Sequence, residues 1–108
     1  MTALTSDEEV VMRVQFVEKE SRPERLVCEA EVVFGEEVGP LAGMKLVGFS
    51  LWRSPEGEVF VTFPSRASGV GNERRFYDYL RSAEGIAADA KRVKEWILEE
   101  FRAHSRAA

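Results

Sequence analysis

Cysteine and histidine are almost missing from this chain of 108 residues, which contains one of each, Cys28 and His104. A lone cysteine cannot form a disulfide within its own chain, so the sequence excludes a disulfide framework. One histidine and one cysteine are also too few for a zinc site built by this chain alone. We therefore expect a fold that depends on its apolar core, with no metal and no other cofactor.

Long apolar runs are missing as well. No window approaches the roughly 20 apolar residues that a membrane-spanning helix needs. The N-terminal residues 1–11 are acidic and have neither a basic start nor an apolar stretch, so we expect no signal peptide. These features predict a cytoplasmic protein that does not enter a membrane.

The sequence has no recognisable catalytic constellation. It contains no Gly-x-Ser-x-Gly elbow, and the glycines at 69–71 lack the Gly-Lys-Ser/Thr of a phosphate-binding loop. Paired carboxylates occur at 7–9, 36–37 and 99–100. Their places in a tail, in a loop and near a helix end favour solvated charge over acid catalysis. The position of His104 suits a cation at a helix terminus better than a general base. We expect no enzyme and no small-molecule substrate.

Charge is plentiful, but it is unevenly spread. The net charge is −4, yet residues 41–82 carry six basic and four acidic residues, against four basic and ten acidic residues in 1–40. An anionic partner is therefore expected to contact the middle of the chain.

Alternating apolar and polar residues predict five strands, at 12–16, 26–34, 44–52, 59–63 and 74–81. Within them, Cys28 falls on an apolar face, which predicts a buried core residue. The segment 54–57 (Ser-Pro-Glu-Gly) fits a type I turn and predicts a hairpin. Segments 35–43 and 65–72 are rich in glycine or small residues and are expected to be loops, the second one mobile.

The strand at 44–52 is apolar on both faces. Val47, Phe49 and Leu51 are expected on one face, and Leu46 and Trp52 on the other. One helix can cover a single face, so this strand predicts a homodimer. Trp52 and Trp96 are interpreted as core or dimer-interface residues.

Apolar residues then recur at helical spacing, at Ile86, Ala90, Val93, Ile97 and Phe101. They predict a helix over about 85–104, with Ser82 as its N-cap and with Lys91, Lys94, Glu95 and Glu99 on the opposite side, where Lys91 and Glu95 can pair. The predicted fold is α+β, a mostly antiparallel five-stranded sheet followed by one C-terminal amphipathic helix. We expect a single domain at 10–104, between tails at 1–9 and 105–108.

Three segments carry a resemblance to a known family. A hairpin ends in Phe63-Pro64-Ser65-Arg66, the motif Phe76-Tyr77-Asp78 follows, and an amphipathic stretch covers 92–101. In this order and spacing, from about 10 to about 104, the chain resembles the stage V sporulation protein G (SpoVG, septation regulator) family. The resemblance implies a small homodimer that binds DNA or RNA as a regulator of gene expression, septation or sporulation.

Two positions depart from the family pattern and remove positive charge. A second basic residue usually follows the Pro-Ser-basic motif, where this chain has Ala67. The third strand usually carries a basic residue near its end, where this chain has Ser50. Both departures remove positive charge from the surface that would bind phosphates.

The fifth predicted strand places arginine and tyrosine on one face, a pattern that suits single-stranded nucleic acid. The candidate nucleic-acid-binding residues are Arg66, Arg74, Arg75, Tyr77, Tyr79 and Arg81. The alternative for this strand is an edge strand whose tyrosines lie over the sheet. The alternative for the whole protein is a dimeric protein-interaction module without nucleic-acid binding.

Overall fold

The computed structural model describes residues 11–107, so the tail expected at 1–9 lies outside the described residues. The strands are β1 (Met12–Val17), β2 (Leu26–Phe34), β3 (Lys45–Arg53), β4 (Val59–Thr62), β5 (Ser65–Ser68) and β6 (Arg75–Asp78). Short 3-10 helices occur at Glu36–Leu41 and Gly71–Glu73, and the α-helix, α1, is Ala87–Ala107. In this part of the chain no helix is long and apolar enough to cross a membrane.

The first four strands form an antiparallel sheet in the order β1-β2-β3-β4. The β3–β4 connection is the predicted turn, in which the N–H of Gly57 donates to the carbonyl of Ser54 at 2.8 Å. The hydroxyl of Ser54 also accepts the N–H of Glu58 at 3.1 Å. With α1 packed against this sheet, the α+β fold is confirmed.

The fifth predicted strand does not join this sheet. Its observed part, β6, pairs with β5 in a separate two-stranded sheet, so residues 65–68 form a strand and are not part of the loop that we expected at 65–72. Pro64 separates β4 from β5 and has no N–H to donate to a ladder. The chain therefore leaves the main sheet at Pro64, and β5 rather than β4 becomes the partner of β6.

A β-bulge in β3 changes which residues face the core. Ala30 lies opposite Phe49 and Val32 lies opposite Leu46, so β3 contains one residue more than β2 over this stretch. Such an insertion reverses the alternation of faces. Leu46 therefore packs against the core with Phe49, whereas Val47 is 48% exposed, contrary to the expected faces.

The core lies between one face of the sheet and α1. Its buried members are Cys28, Ala30, Val32, Phe49, Leu51, Val61, Phe63 and Ile97. Burial raises the pKa of the Cys28 thiol, so the thiolate is disfavoured and the prediction of a core cysteine is confirmed. Trp96 packs against this core. Trp52 lies on the other face of the sheet, away from α1, which we call the open face, and donates from Nε1 to the hydroxyl of Thr62 at 3.0 Å.

The helix begins two residues later than expected. Ile86 precedes α1 and is 47% exposed, so it does not belong to the buried stripe. Ser82 is not the N-cap, because its hydroxyl instead accepts the N–H groups of Glu84 and Ile86 before the helix starts. Lys94 is not on the solvent side either, since its ammonium lies 5.3 Å from the ring centroid of Phe63.

Ion pairing on the helix surface also differs from the expected pattern. Arg92 pairs with Asp89 at 2.9 Å, and the pair Lys91–Glu95 is not formed within residues 11–107. Hydrogen bonds from Ser82 and Arg92 lower the pKa of the Asp89 carboxyl. The observed charge pair therefore lies two to three residues closer to the N-terminus than the predicted one, and it places an acidic residue in the first turn of α1.

Candidate nucleic-acid interface

The hairpin formed by β5 and β6 is specified by its turn. At Gly69, φ is +91°, and a Cβ there would lie 2.5 Å from the carbonyl oxygen of Glu73. Glycine alone avoids both the strained φ and this contact. The turn brings Arg66 opposite Tyr77 and Ser68 opposite Arg75. Directly opposite residues of antiparallel strands lie on one face, so these four side chains define what we call the basic face.

The central contact of the basic face joins an arginine to a tyrosine. The guanidinium carbon of Arg66 lies 6.0 Å from the ring centroid of Tyr77, at the limit of a cation–π contact. A guanidinium carries five N–H donors, so a position beside the ring leaves donors for an anion. The pair thus combines a phosphate-binding group with an aromatic ring of the kind on which bases stack.

A shallow cavity of about 260 Å³ opens beside this pair. It is lined by Arg66, Ser68, Tyr77, Asp78, Tyr79 and Arg81. The N–H of Tyr79 donates to the carbonyl of Pro64 at 2.8 Å, which extends the hairpin pairing beyond β6 and fixes the main chain of Tyr79. The structure therefore brings together four of the six predicted site residues.

The other two predicted residues lie outside this cavity. Arg75 is on the basic face, but opposite Ser68 and nearer the turn. Arg74 lies over the ring of Phe76, with its guanidinium carbon 5.6 Å from the centroid, and Phe76 is on the opposite face of β6 from Tyr77. The four arginines of the hairpin therefore do not form one continuous strip.

Sequence reasoning missed Ser68 and Asp78 in the cavity lining. Ser68 offers a hydroxyl, and Asp78 brings a negative charge that opposes a phosphate at its end of the cavity. The strand Ser65–Ser68 consists of small and polar residues and lacks apolar alternation, so no strand signal was present to predict its pairing. The glycines at 69 and 71 were the available sign of a turn.

The two charge-removing departures have different consequences. Ala67 pairs with Phe76 on the face opposite Arg66, so a basic residue there would have extended from the other side of the hairpin. Ser50 lines a second cavity, of about 560 Å³, together with Pro64 and Tyr79. A basic residue at position 50 would therefore have lain beside the predicted interface, whereas one at position 67 would not.

No family model matches the sequence, and no curated protein or solved structure matches the chain.

Proposed function

We propose that this protein is a nucleic-acid-binding regulator of the SpoVG kind that acts as a homodimer. The observation that carries the proposal is the Arg66–Tyr77 pair, which borders the same cavity as Tyr79 and Arg81. Guanidinium groups bind phosphate, and exposed tyrosine rings stack on unpaired bases, each with about 1–3 kcal/mol. Single-stranded DNA or RNA is the nucleic acid that such a surface suits.

Phosphate contacts on this face predict strong salt dependence and little base discrimination. In Arg66→Ala/Arg81→Ala, affinity for single-stranded oligonucleotides should fall for all sequences alike. The slope of log affinity against log salt should decrease by about 1.4, since each single-strand phosphate contact contributes about 0.7. Titration by fluorescence anisotropy at several salt concentrations, with DNA and RNA, single- and double-stranded, measures both quantities.

Arg74→Ala is the matched control, because it removes an arginine from the same hairpin but from the Phe76 side. It should change the slope of log affinity against log salt by less than about 0.35, which is half of the contribution of one single-strand phosphate contact. A loss equal to that of the double variant would reject the basic face as the binding surface. If the intact protein binds no oligonucleotide even at low salt, the protein-interaction module is the remaining function.

The homodimer rests on the exposure of the hairpin. In β5 and β6 no residue is buried, and Phe76 is 68% exposed. A two-stranded hairpin without a covering layer is marginally stable in water. A second copy that packs on the Phe76 side would supply the missing cover and leave the basic face free.

Sedimentation at micromolar concentration should accordingly give a species of twice the chain mass of 12.2 kDa. Phe76→Ser should shift the equilibrium towards the monomer by at least about tenfold, because it removes a large aromatic contact. Val70→Ser, at a residue that is 80% exposed in the hairpin turn, is the control and should have no effect. A single 12.2 kDa species for the unmodified chain would contradict the dimer.

A further inference from the structure

Three arginines contribute to a further cavity, at the turn end of the β3–β4 hairpin and away from the basic face. A cavity of about 440 Å³ opens there between the β1–β2 connection and the β3–β4 turn. Arg22, Arg25 and Arg53 contribute to its lining, and Glu24 is the one acidic residue that does so. The site thus carries an excess of two positive charges on a chain whose net charge is −4.

The three guanidinium groups are held by the main chain. Arg53 donates from Nη1 to the carbonyl of Gly57 at 3.0 Å, across the β3–β4 turn. Arg25 donates from Nη1 to the carbonyl of Arg53 at 3.5 Å, and Arg22 donates to the carbonyl of Lys19 at 3.3 Å. A main-chain hydrogen bond between Arg53 N–H and the Arg25 carbonyl, 2.8 Å long, joins the two segments.

Most of the donors of these groups are still available. Each guanidinium has five N–H groups, and the hydrogen bonds above use one apiece. Among residues 11–107, none of the three arginines forms an ion pair with a carboxylate. Like charges that line one cavity repel one another, and Glu24 offsets only one of the three, so an anion bound there would relieve the remaining repulsion.

We propose that this cavity binds a phosphate ester. The planar guanidinium group of arginine presents pairs of N–H donors whose spacing matches two oxygens of a phosphate, so it can bind phosphate through two parallel hydrogen bonds. The cavity has the volume of a small-ligand pocket and is too small for a nucleic-acid duplex. The phosphate belongs either to a free nucleotide or to the 5′ end of a nucleic-acid strand. This proposal stands independently of the basic face.

The test uses three ligands: pyrophosphate, ATP, and one single-stranded oligonucleotide prepared with and without a 5′-phosphate. Each is titrated into the isotopically labelled 108-residue chain, and binding is followed by the chemical shifts of the backbone amides. We expect saturable shifts at Arg25, Arg53 and Gly57 at micromolar to millimolar ligand. A preference for the 5′-phosphorylated over the 5′-hydroxyl oligonucleotide identifies a strand end as the ligand. Binding of ATP without such a preference identifies a free nucleotide.

Arg22→Gln and Arg53→Gln should each weaken pyrophosphate binding by at least about tenfold, as expected for the loss of a charge-assisted hydrogen bond. Arg53 also holds the turn through Gly57, so Arg22→Gln provides the variant that leaves the turn intact. Arg102→Gln, at an exposed position on α1, is the control for net charge. The absence of shifts at millimolar pyrophosphate, or equal weakening in all three variants, would overturn the proposal. Oligonucleotide binding through the basic face should persist in Arg22→Gln.

Discussion

Ile97→Ala is expected to lower the free energy of unfolding by about 2–4 kcal/mol. The side chain of Ile97 is fully buried at the contact between α1 and the sheet, in the cluster that contains Phe49 and Val61. Truncation removes its buried methyl and methylene groups and leaves a cavity that a sheet held by cross-strand hydrogen bonds cannot close. Equilibrium urea denaturation followed by far-UV circular dichroism measures the loss.

Glu99→Ala, two residues away on the exposed side of α1, is the control. It should change the free energy of unfolding by less than about 0.5 kcal/mol, the usual range for surface positions. Both substitutions introduce alanine, the residue with the highest helix propensity, so a loss of helix propensity cannot explain a loss of stability in either variant. Equal losses at the two positions would contradict the packing of this helix face on the sheet.

The phase of the helix could be predicted from the sequence, but its start could not. Val93, Ile97 and Phe101 repeat at helical spacing because they pack on one surface, and that periodicity identifies the buried face. The start depends on a local competition. The hydroxyl of Ser82 takes the N–H of Ile86 at 3.0 Å and holds the preceding residues in a turn, so α1 begins at Ala87.

The position of the β3 bulge could not be read from the alternation of residues. Leu46 and Val47 are both apolar, so either could have faced the core, and the extra residue appears only in the pairing with β2. The sequence carried one sign of it, the glycine at 48 inside an otherwise apolar strand. The bulge also determines which side chain lies on the open face: Val47 is exposed there because Leu46 occupies the core position.

For the candidate site, the residues of β6 could be predicted and their partners could not. Alternation along β6 places Arg75 and Tyr77 on one face whatever the pairing, since side chains alternate in any strand. The inclusion of Arg66 depends on β5, whose composition gives no strand signal, and on the close approach at Gly69. Long-range pairing of this kind is set by turn geometry and by the exit of the chain at Pro64.

Gly48→Ala is expected to destabilise the fold by about 2–6 kcal/mol, and it should weaken oligonucleotide binding as well. The backbone of Gly48 has φ +103°, which costs a residue with a side chain about 1–3 kcal/mol. A Cβ at this position would lie 2.8 Å from the Cβ of Pro64, a contact that adds a further cost of about 1–3 kcal/mol. Urea denaturation measures the sum of the two effects.

Gly57→Ala separates the two costs, because Gly57 has φ +92° but no atom within 4 Å of its added Cβ. It should show the backbone cost alone, and the excess loss in Gly48→Ala then measures the contact with Pro64. Relief of that contact moves Pro64, whose carbonyl accepts the N–H of Tyr79 at 2.8 Å, so the cavity beside Arg66 should be distorted. Gly48→Ala should therefore reduce affinity for oligonucleotides with a 5′-hydroxyl end, under conditions where the variant is still folded. Gly57→Ala should not reduce this affinity, because a 5′-hydroxyl oligonucleotide offers no terminal phosphate to the cavity that Gly57 lines. Equal stability and equal binding in the two variants would show that the Gly48–Pro64 contact does not set the position of the hairpin.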